Sequence, residues 1–323
     1  MKLLRRVIAA LCIYAVMVPG AHAQAYPDRP VKLVVGFSPG GGSDLVARIL
    51  ARALGEQLGQ SVIVENRPGA GGMIATRAVA AEPADGYTLL LGSAAAFVIN
   101  PYLRHDVGYD PVGDFTPIGA VSRFDYVLLG RPGLPVASLQ DLVAYAKAHP
   151  GQLTIGSAGV GSNTHLVALS FLSRSGIELR HVPYKGTAGA LNDLLGGTID
   201  LLFDSVPTVM QQVKTRAAAS FGTTGARRET MLPDVPTFAE AGMPGFEASN
   251  WFAVFGPRQL DPKVVRRLNS AMAQALQDPE LLASFRQSGN IALGGSPADL
   301  AALVARETQQ YKALIDATGV RLD

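Results

Sequence analysis

Short runs of Val, Ile and Leu alternate along this chain with longer stretches in which apolar residues recur every three or four positions. The runs at 31–35, 61–64, 88–91, 126–129, 153–155, 199–203 and 251–255 predict strands. Most are continuously apolar, as suits strands covered on both faces. Helical spacing predicts helices over 44–58, 138–149, 162–175 and 187–195. The first sets Leu45, Ile49, Leu54 and Leu58 on one face. The second opens on Ser138, a residue type that caps helices, and stops before Pro150 and Gly151. Strand and helix in alternation imply an α/β fold with largely parallel sheets. The tail breaks the pattern, with helices predicted over 261–276, 279–288 and 297–317 and few strands between them. Their apolar stripes need no more than packing on a core.

The first 23 residues stand apart. Lys2, Arg5 and Arg6 precede an apolar run at 7–18, and Ala21, His22 and Ala23 form a small-x-small cleavage site. This is the plan of a cleaved export signal with a periplasmic destination. A transmembrane anchor takes roughly 20 apolar residues, more than the run supplies. Cys12, the one cysteine of the chain, lies inside the signal. The remainder has no thiol for a disulfide, a metal site or a nucleophile. Without Lys2, Arg5 and Arg6 the net charge falls from +2 to −1. No Lys/Arg-rich stripe remains, so a nucleic-acid partner is not expected.

The length left suits two domains better than one, and a hydrophobic content of 48% can fill two cores. Candidate crossovers lie at 121–125 and 245–250. If both join the lobes, residues 126–246 form one lobe, and 24–125 with 247–323 form the other. No internal repeat is evident.

Three glycine-rich turns each follow a predicted strand and open a predicted helix. The first holds Phe37, Gly41, Gly42, Ser43 and Asp44; the second, Ala70 and Gly71. The third runs through Ser157, Gly159, Gly161, Ser162, Asn163, Thr164 and His165. Glycine lets a backbone turn tightly and approach a ligand closely. The helix start behind it offers unpaired N–H groups and a positive dipole end, which suit a carboxylate or phosphate. No turn reads as a P-loop or as G-x-G-x-x-G, so a carboxylate is favoured over a nucleotide. Ser93, at the end of its strand, and Asp204, in Phe203-Asp204-Ser205, join the candidate ligand-binding set. Asp44 has capping as its plainer role, and so does Asp204. The aromatics Phe37, Phe97, Tyr184 and Trp251 are candidates for pocket walls or core. His105, His149, His165 and His181 are scattered, no H-E-x-x-H occurs, and neither a metal nor a cofactor is expected. His165 fits a part in supporting its loop better than catalysis. No nucleophile elbow is expected among the turns, and no catalytic residue is assigned.

In combination and order, these stretches resemble the Bug family, the receptors of tripartite tricarboxylate transporters. The resemblance runs through residues 37–44, through 65–72 with its Asn66-Arg67-Pro68-Gly69, and through Asp85-Gly86-Tyr87. It continues through Tyr109-Asp110-Pro111, Gly156 to His165, His181-Val182-Pro183-Tyr184 and Pro233-Asp234-Val235-Pro236. Gly36 departs from the pattern, standing where proline is common, and Asn250-Trp251-Phe252-Ala253 matches loosely. The resemblance implies a two-lobed periplasmic-binding-protein fold of type II with the ligand cleft between the lobes. It implies no catalysis, and a carboxylate held by the first and third loops through backbone groups and waters. Lobe closure then presents a surface to the membrane subunits of such a transporter. A monomer is expected. A binding protein that feeds a sensor kinase fits the sequence equally, and an exported α/β hydrolase is the remote alternative. Asp204 tilts the ligand toward one with an amino group or ring nitrogen. Bulk placed as Gly41→Val or Gly161→Val is expected to abolish binding without unfolding the chain.

Overall fold

A computed structural model describes residues 26–184, 186–319 and 321; the export signal predicted at 1–23 lies outside the described residues. The strands are β1 Val31–Val35, β2 Val62–Asn66, β3 Thr88–Ser93, β4 Phe115–Gly130, β5 Thr154–Ser157, β6 Arg180–Pro183, β7 Leu201–Ser205, β8 Ala219–Thr223, β9 Ser249–Pro257 and β10 Ile291–Gly294. The helices are α1 Gly42–Leu58, α2 Met73–Ala80, α3 Asn100–Leu103, α4 Leu139–Ala148, α5 Asn163–Ser175, α6 Thr187–Leu195, α7 Val206–Lys214, α8 Pro262–Ala275, α9 Pro279–Gln287 and α10 Pro297–Thr318. A 3-10 turn, Ala70–Gly72, precedes α2, and a π-helical turn, Ala95–Ile99, precedes α3.

β1 pairs parallel to β2 and β3, and β3 pairs antiparallel to β9. β9 then runs antiparallel to the first part of β4, from Phe115 opposite Pro257 to Asp125 opposite Ser249. From Tyr126 onward the same strand changes neighbours, pairing antiparallel with β7 and β8. β5 lies parallel between β6 and β7. The expected crossover at 121–125 and the strand at 126–129 are thus one continuous β-strand. The sequence pattern hid this because a crossover in extended backbone has no turn residues to mark it.

The continuous apolar runs have the reason predicted for them. In β1, Val31, Leu33 and Val35 face one core and Val34 faces another; in β3, Leu89 and Leu91 join the first core and Leu90 the second. Around the other sheet, Leu128, Ile155, Leu201 and Phe203 face one core, and Val127, Leu129 and Leu202 face its counterpart. Helices cover both faces of each sheet. Ser138 caps α4 by accepting from Asp141 N at 3.1 Å. α10 opens with a capping box between Ser296 and Asp299. The predicted apolar face of α1 needs correction. Leu54 and Leu58 are buried as predicted, together with Val46, Ala47 and Leu50, whereas Ile49 is half-buried and Leu45 is 45% exposed. Strands β6, β8 and β10 were not predicted; β6 and β8 are short and carry few apolar side chains, and β10 is only four residues long, with Ile291 and Leu293 exposed.

At the point where β4 changes partners, two carboxyl groups are buried together. Asp125 is 3% exposed and Glu229 7%. Their side chains hydrogen-bond each other, and Arg123 Nη1 lies 3.2 Å from Asp125 Oδ1. Burial pushes both carboxyl groups up, and the Asp125 charge adds to the shift of Glu229.

Candidate functional site

A cavity of about 670 Å³ opens between the two sheets. Its wall is built from the carboxyl ends of the parallel strands and the helix starts that follow, where ligands bind in open α/β sheets. The first turns of α1 (Gly42, Ser43), α5 (Asn163, Thr164), α6 (Thr187) and α7 (Pro207, Thr208) all line it. The N-terminal N–H groups of a helix have no partner within the helix, and the N-cap side chains of α1, α6 and α7 accept no hydrogen bond from them. The wall thus concentrates the positive ends of four helix dipoles.

Each loop is fixed from behind. Asp44 takes Gly40 N at 2.9 Å, Arg48 Nε at 2.9 Å and Asn66 Nδ2 at 3.0 Å. The Arg48 hydrogen bond above all holds its carboxyl down to about 2. Asn66 also donates to Phe37 O at 3.0 Å, tying the end of β2 to the first loop. The second loop carries left-handed backbone at Gly69, Ala70, Gly71 and Gly72 in succession, a path only a glycine-rich sequence follows readily. Gly36 explains its departure from the family pattern: a Cβ there would lie 2.6 Å from Gly72 Cα, so the first two loops touch backbone to backbone. In the third loop, Thr164 Oγ1 accepts from Ala158 N at 2.9 Å, and Ser162 Oγ donates to Gly159 O at 2.7 Å. His165 Nδ1 accepts from Gly161 N at 3.1 Å, and its ring stacks on His181 at 4.0 Å. Burial, then the neighbouring His181, lowers His165 to about 4, so at neutral pH it is an acceptor.

Of the residues singled out in the sequence, Phe37, Gly42, Ser43, Ala70, Gly71, Gly161, Ser162, Asn163, Thr164 and Asp204 line the cavity. Gly41, Asp44, Ser157, Gly159 and His165 do not line it; Asp44, Ser157 and His165 are buried and fix the loops from behind. Ser157 is buried, its Oγ 2.7 Å from His181 Nε2. Ser93 is buried in the sheet opposite Phe252 and is no part of the wall. Phe97 and Trp251 belong to the core, while Phe124, Tyr126 and Phe252 line the cavity. Asn100, Arg104, Asn250 and Asn290 also line it and were missed. They come from segments without a glycine turn that links a strand to a following helix, so the pattern searched for did not mark them. Among the described residues Arg104 is the one basic side chain on the wall and Asp204 the one acidic. Asp204 Oδ1 accepts from Ser205 N at 2.7 Å, and burial pushes its carboxyl up to about 7.

One expectation is overturned by the chain itself. Gly36-Phe37-Ser38-Pro39-Gly40 does read G-x-S-x-G, between a strand and a helix. Such an elbow needs a histidine base beside the serine. His165 and His181 are instead stacked together and bonded to Gly161 and Ser157. Ser38 is exposed on the cavity wall. Among the described residues no His/Cys/Asp/Glu group is placed to hold a metal, and no helix is long and apolar enough to cross a membrane.

Two α/β lobes sharing one long strand, with a cleft between them, define a bilobed solute-binding protein. The family model of the tripartite tricarboxylate transporter family receptor matches residues 46–320. BugT of Bordetella pertussis is 38% identical over 301 residues, covering 93% of this chain and 92% of its own. Rpa4515 of R. palustris, solved with adipate, superposes with a TM-score of 0.85 at 36% identity, covering 92% of this chain and 99% of that one. MatC of Rhodopseudomonas palustris, solved with bound malate, gives a TM-score of 0.81 at 30% identity, covering 90% of this chain and 100% of that one. The chain belongs to the family of tripartite tricarboxylate transporter receptors.

Proposed function

We propose that this receptor is exported to the periplasm by a cleaved signal at 1–23 and captures a small carboxylate there as a monomer. Residues 24–125 with 247–323 act as one lobe and 126–246 as the other. Closure hands the ligand to the membrane subunits of a tripartite tricarboxylate-type transporter. The observation that carries the reading is the convergence of four helix N-termini on one cavity. An anion there gains from every dipole at once, and unpaired amides solvate it without a neutralising side chain. Arg104 lies on the same wall. The adipate and malate of the two solved relatives are ligands of this kind.

The test is a thermal-shift screen of protein unfolded and refolded to strip carried-over ligand, run against mono-, di- and tricarboxylates. A ligand at about 100 times its dissociation constant adds roughly 2.7 kcal/mol. That is worth about 5 °C in a chain of this size. A carboxylate that raises the melting temperature without being consumed supports the reading. A shift with phosphate or uncharged solutes and none with any carboxylate refutes it.

A further inference from the structure

The cleft wall is chemically lopsided. Helix N-termini offer donors and the positive ends of their dipoles. Yet two acceptors on the same wall lack a donor in hydrogen-bond geometry: Asp204 Oδ2 and Asn163 Oδ1 are both shielded from water, and the Thr187 and Ser205 side chains that approach the Asp204 carboxyl leave Oδ2 unbonded. Both residues line the cavity, and Asp204 is only 3% exposed. Folded proteins leave few buried acceptors unpaired, because each loses its hydration without replacement. Two on one wall of one cavity mark a place where a donor from outside belongs.

The remaining bonds of these side chains orient them. Asp204 Oδ1 is taken by Ser205 N at 2.7 Å, which leaves Oδ2 for another partner. The Asn163 amide hydrogen-bonds the Tyr126 side chain, leaving its oxygen unpaired. A plain dicarboxylate would answer the dipoles but would set an anion or a bare methylene against Asn163 Oδ1 and, once Asp204 is ionised, against its carboxylate. A hydroxyl or an ammonium group answers them directly. We infer that the ligand carries a hydrogen-bond donor, a hydroxyl or an ammonium group, besides its carboxylate, and that Asp204 and Asn163 recognise it. The inference rests on the receptor reading above and narrows its ligand class to hydroxy and amino acids.

Asp204 shares the wall with Arg104 and with Tyr126, whose hydroxyl burial holds well above its ordinary value. The carboxyl of Asp204 itself, pushed up to about 7, passes from mostly neutral to mostly ionised between pH 6 and 8. That change separates the two donors. An ammonium ligand gains affinity as Asp204 ionises, whereas a hydroxyl ligand changes little.

Calorimetry on stripped protein tests this with matched skeletons: propionate, lactate and alanine; succinate, malate and aspartate; adipate, 2-hydroxyadipate and 2-aminoadipate. In the skeleton that binds, the hydroxy or amino member should be at least about tenfold tighter than its parent, because sites built to bond an OH or NH reject analogues lacking it. A widening preference for the amino member from pH 6 to 8 assigns ammonium; a flat preference for the hydroxy member assigns hydroxyl. Asp204→Asn or, should that variant fail to fold, Asn163→Ala should bring donor and parent within about threefold. A parent acid that binds as tightly as both derivatives overturns the inference and leaves the receptor reading standing. Failure of every acid in the panel, with the fold intact by circular dichroism, overturns both.

Discussion

Glu229→Gln should stabilise this protein at alkaline pH and leave it nearly unchanged at pH 4.5. Glu229 and Asp125 are buried side by side where β4 changes partners, and Arg123 offsets part of the Asp125 charge. The Glu229 carboxyl is raised from 4.5 to about 7. Its native state therefore holds a proton that the unfolded chain has already released. Relative to the unfolded chain, the stability from this pair is intact below pH 4.5 and lost as pH rises through 7. At about 1.4 kcal/mol per pKa unit, the loss is on the order of 3 kcal/mol. A glutamine cannot ionise, and its amide can donate to Asp125, so the variant escapes that loss. It should melt about 5 °C above the parent at pH 8.5, with the two curves converging near pH 4.5. Trp251, the single tryptophan, is buried in β9 and its fluorescence reports the transition. A difference in melting temperature that stays constant from pH 4.5 to 8.5 would refute the shared-proton account. So would a variant destabilised throughout.

Three further outcomes follow from the loops. Gly161 has φ +78°, so Gly161→Val strains the backbone by about 1–2 kcal/mol and should abolish binding in calorimetry; Gly41 has φ −85°, and a Cβ there meets only Ser38 O at an ordinary 3.6 Å, so Gly41→Val should weaken it far less. Equal effects of the two would show that bulk rather than backbone conformation matters. Asp44→Ala leaves Gly40 N, Arg48 and Asn66 without their acceptor, and should cost about 2 kcal/mol in urea unfolding together with roughly tenfold in affinity. Unchanged affinity would remove Asp44 from the support of the first loop. His165→Phe keeps a ring against His181 but loses the acceptor for Gly161 N, so affinity should fall with a stability cost near 1 kcal/mol. A variant that binds as before would mean the third loop holds its shape without that bond.

The fold was legible where a physical pattern is local. β1, β3 and β7 carry apolar residues buried on both faces and read as nearly unbroken apolar runs, β1 interrupted by Lys32, and α6 begins and ends where its spacing predicts. The third loop announced itself through glycines and the Ser162 cap. Other parts depended on tertiary structure. Leu45 has the spacing of a core residue, yet the helix is rotated to bury Val46 and Leu50, and Leu45 faces the cleft. Arg104, Asn250 and Asn290 reach the wall from segments far apart in the chain. Asp44 stood out in the sequence for its position, but its role became readable only with Arg48 and Asn66 placed around it.

The position of β9 between β3 and β4 also bears on how the molecule is made. Synthesis proceeds from the N-terminus, so β3 and the first part of β4 are complete long before Ser249–Pro257 exists to bridge them. Until then each keeps an open edge, the kind of surface that pairs with other chains. The sheet of β5 to β8 with the end of β4 needs nothing beyond Thr223 and can close first. The half of the molecule begun first is thus the half finished last, and the nascent chain depends on being kept apart from its neighbours until β9 arrives.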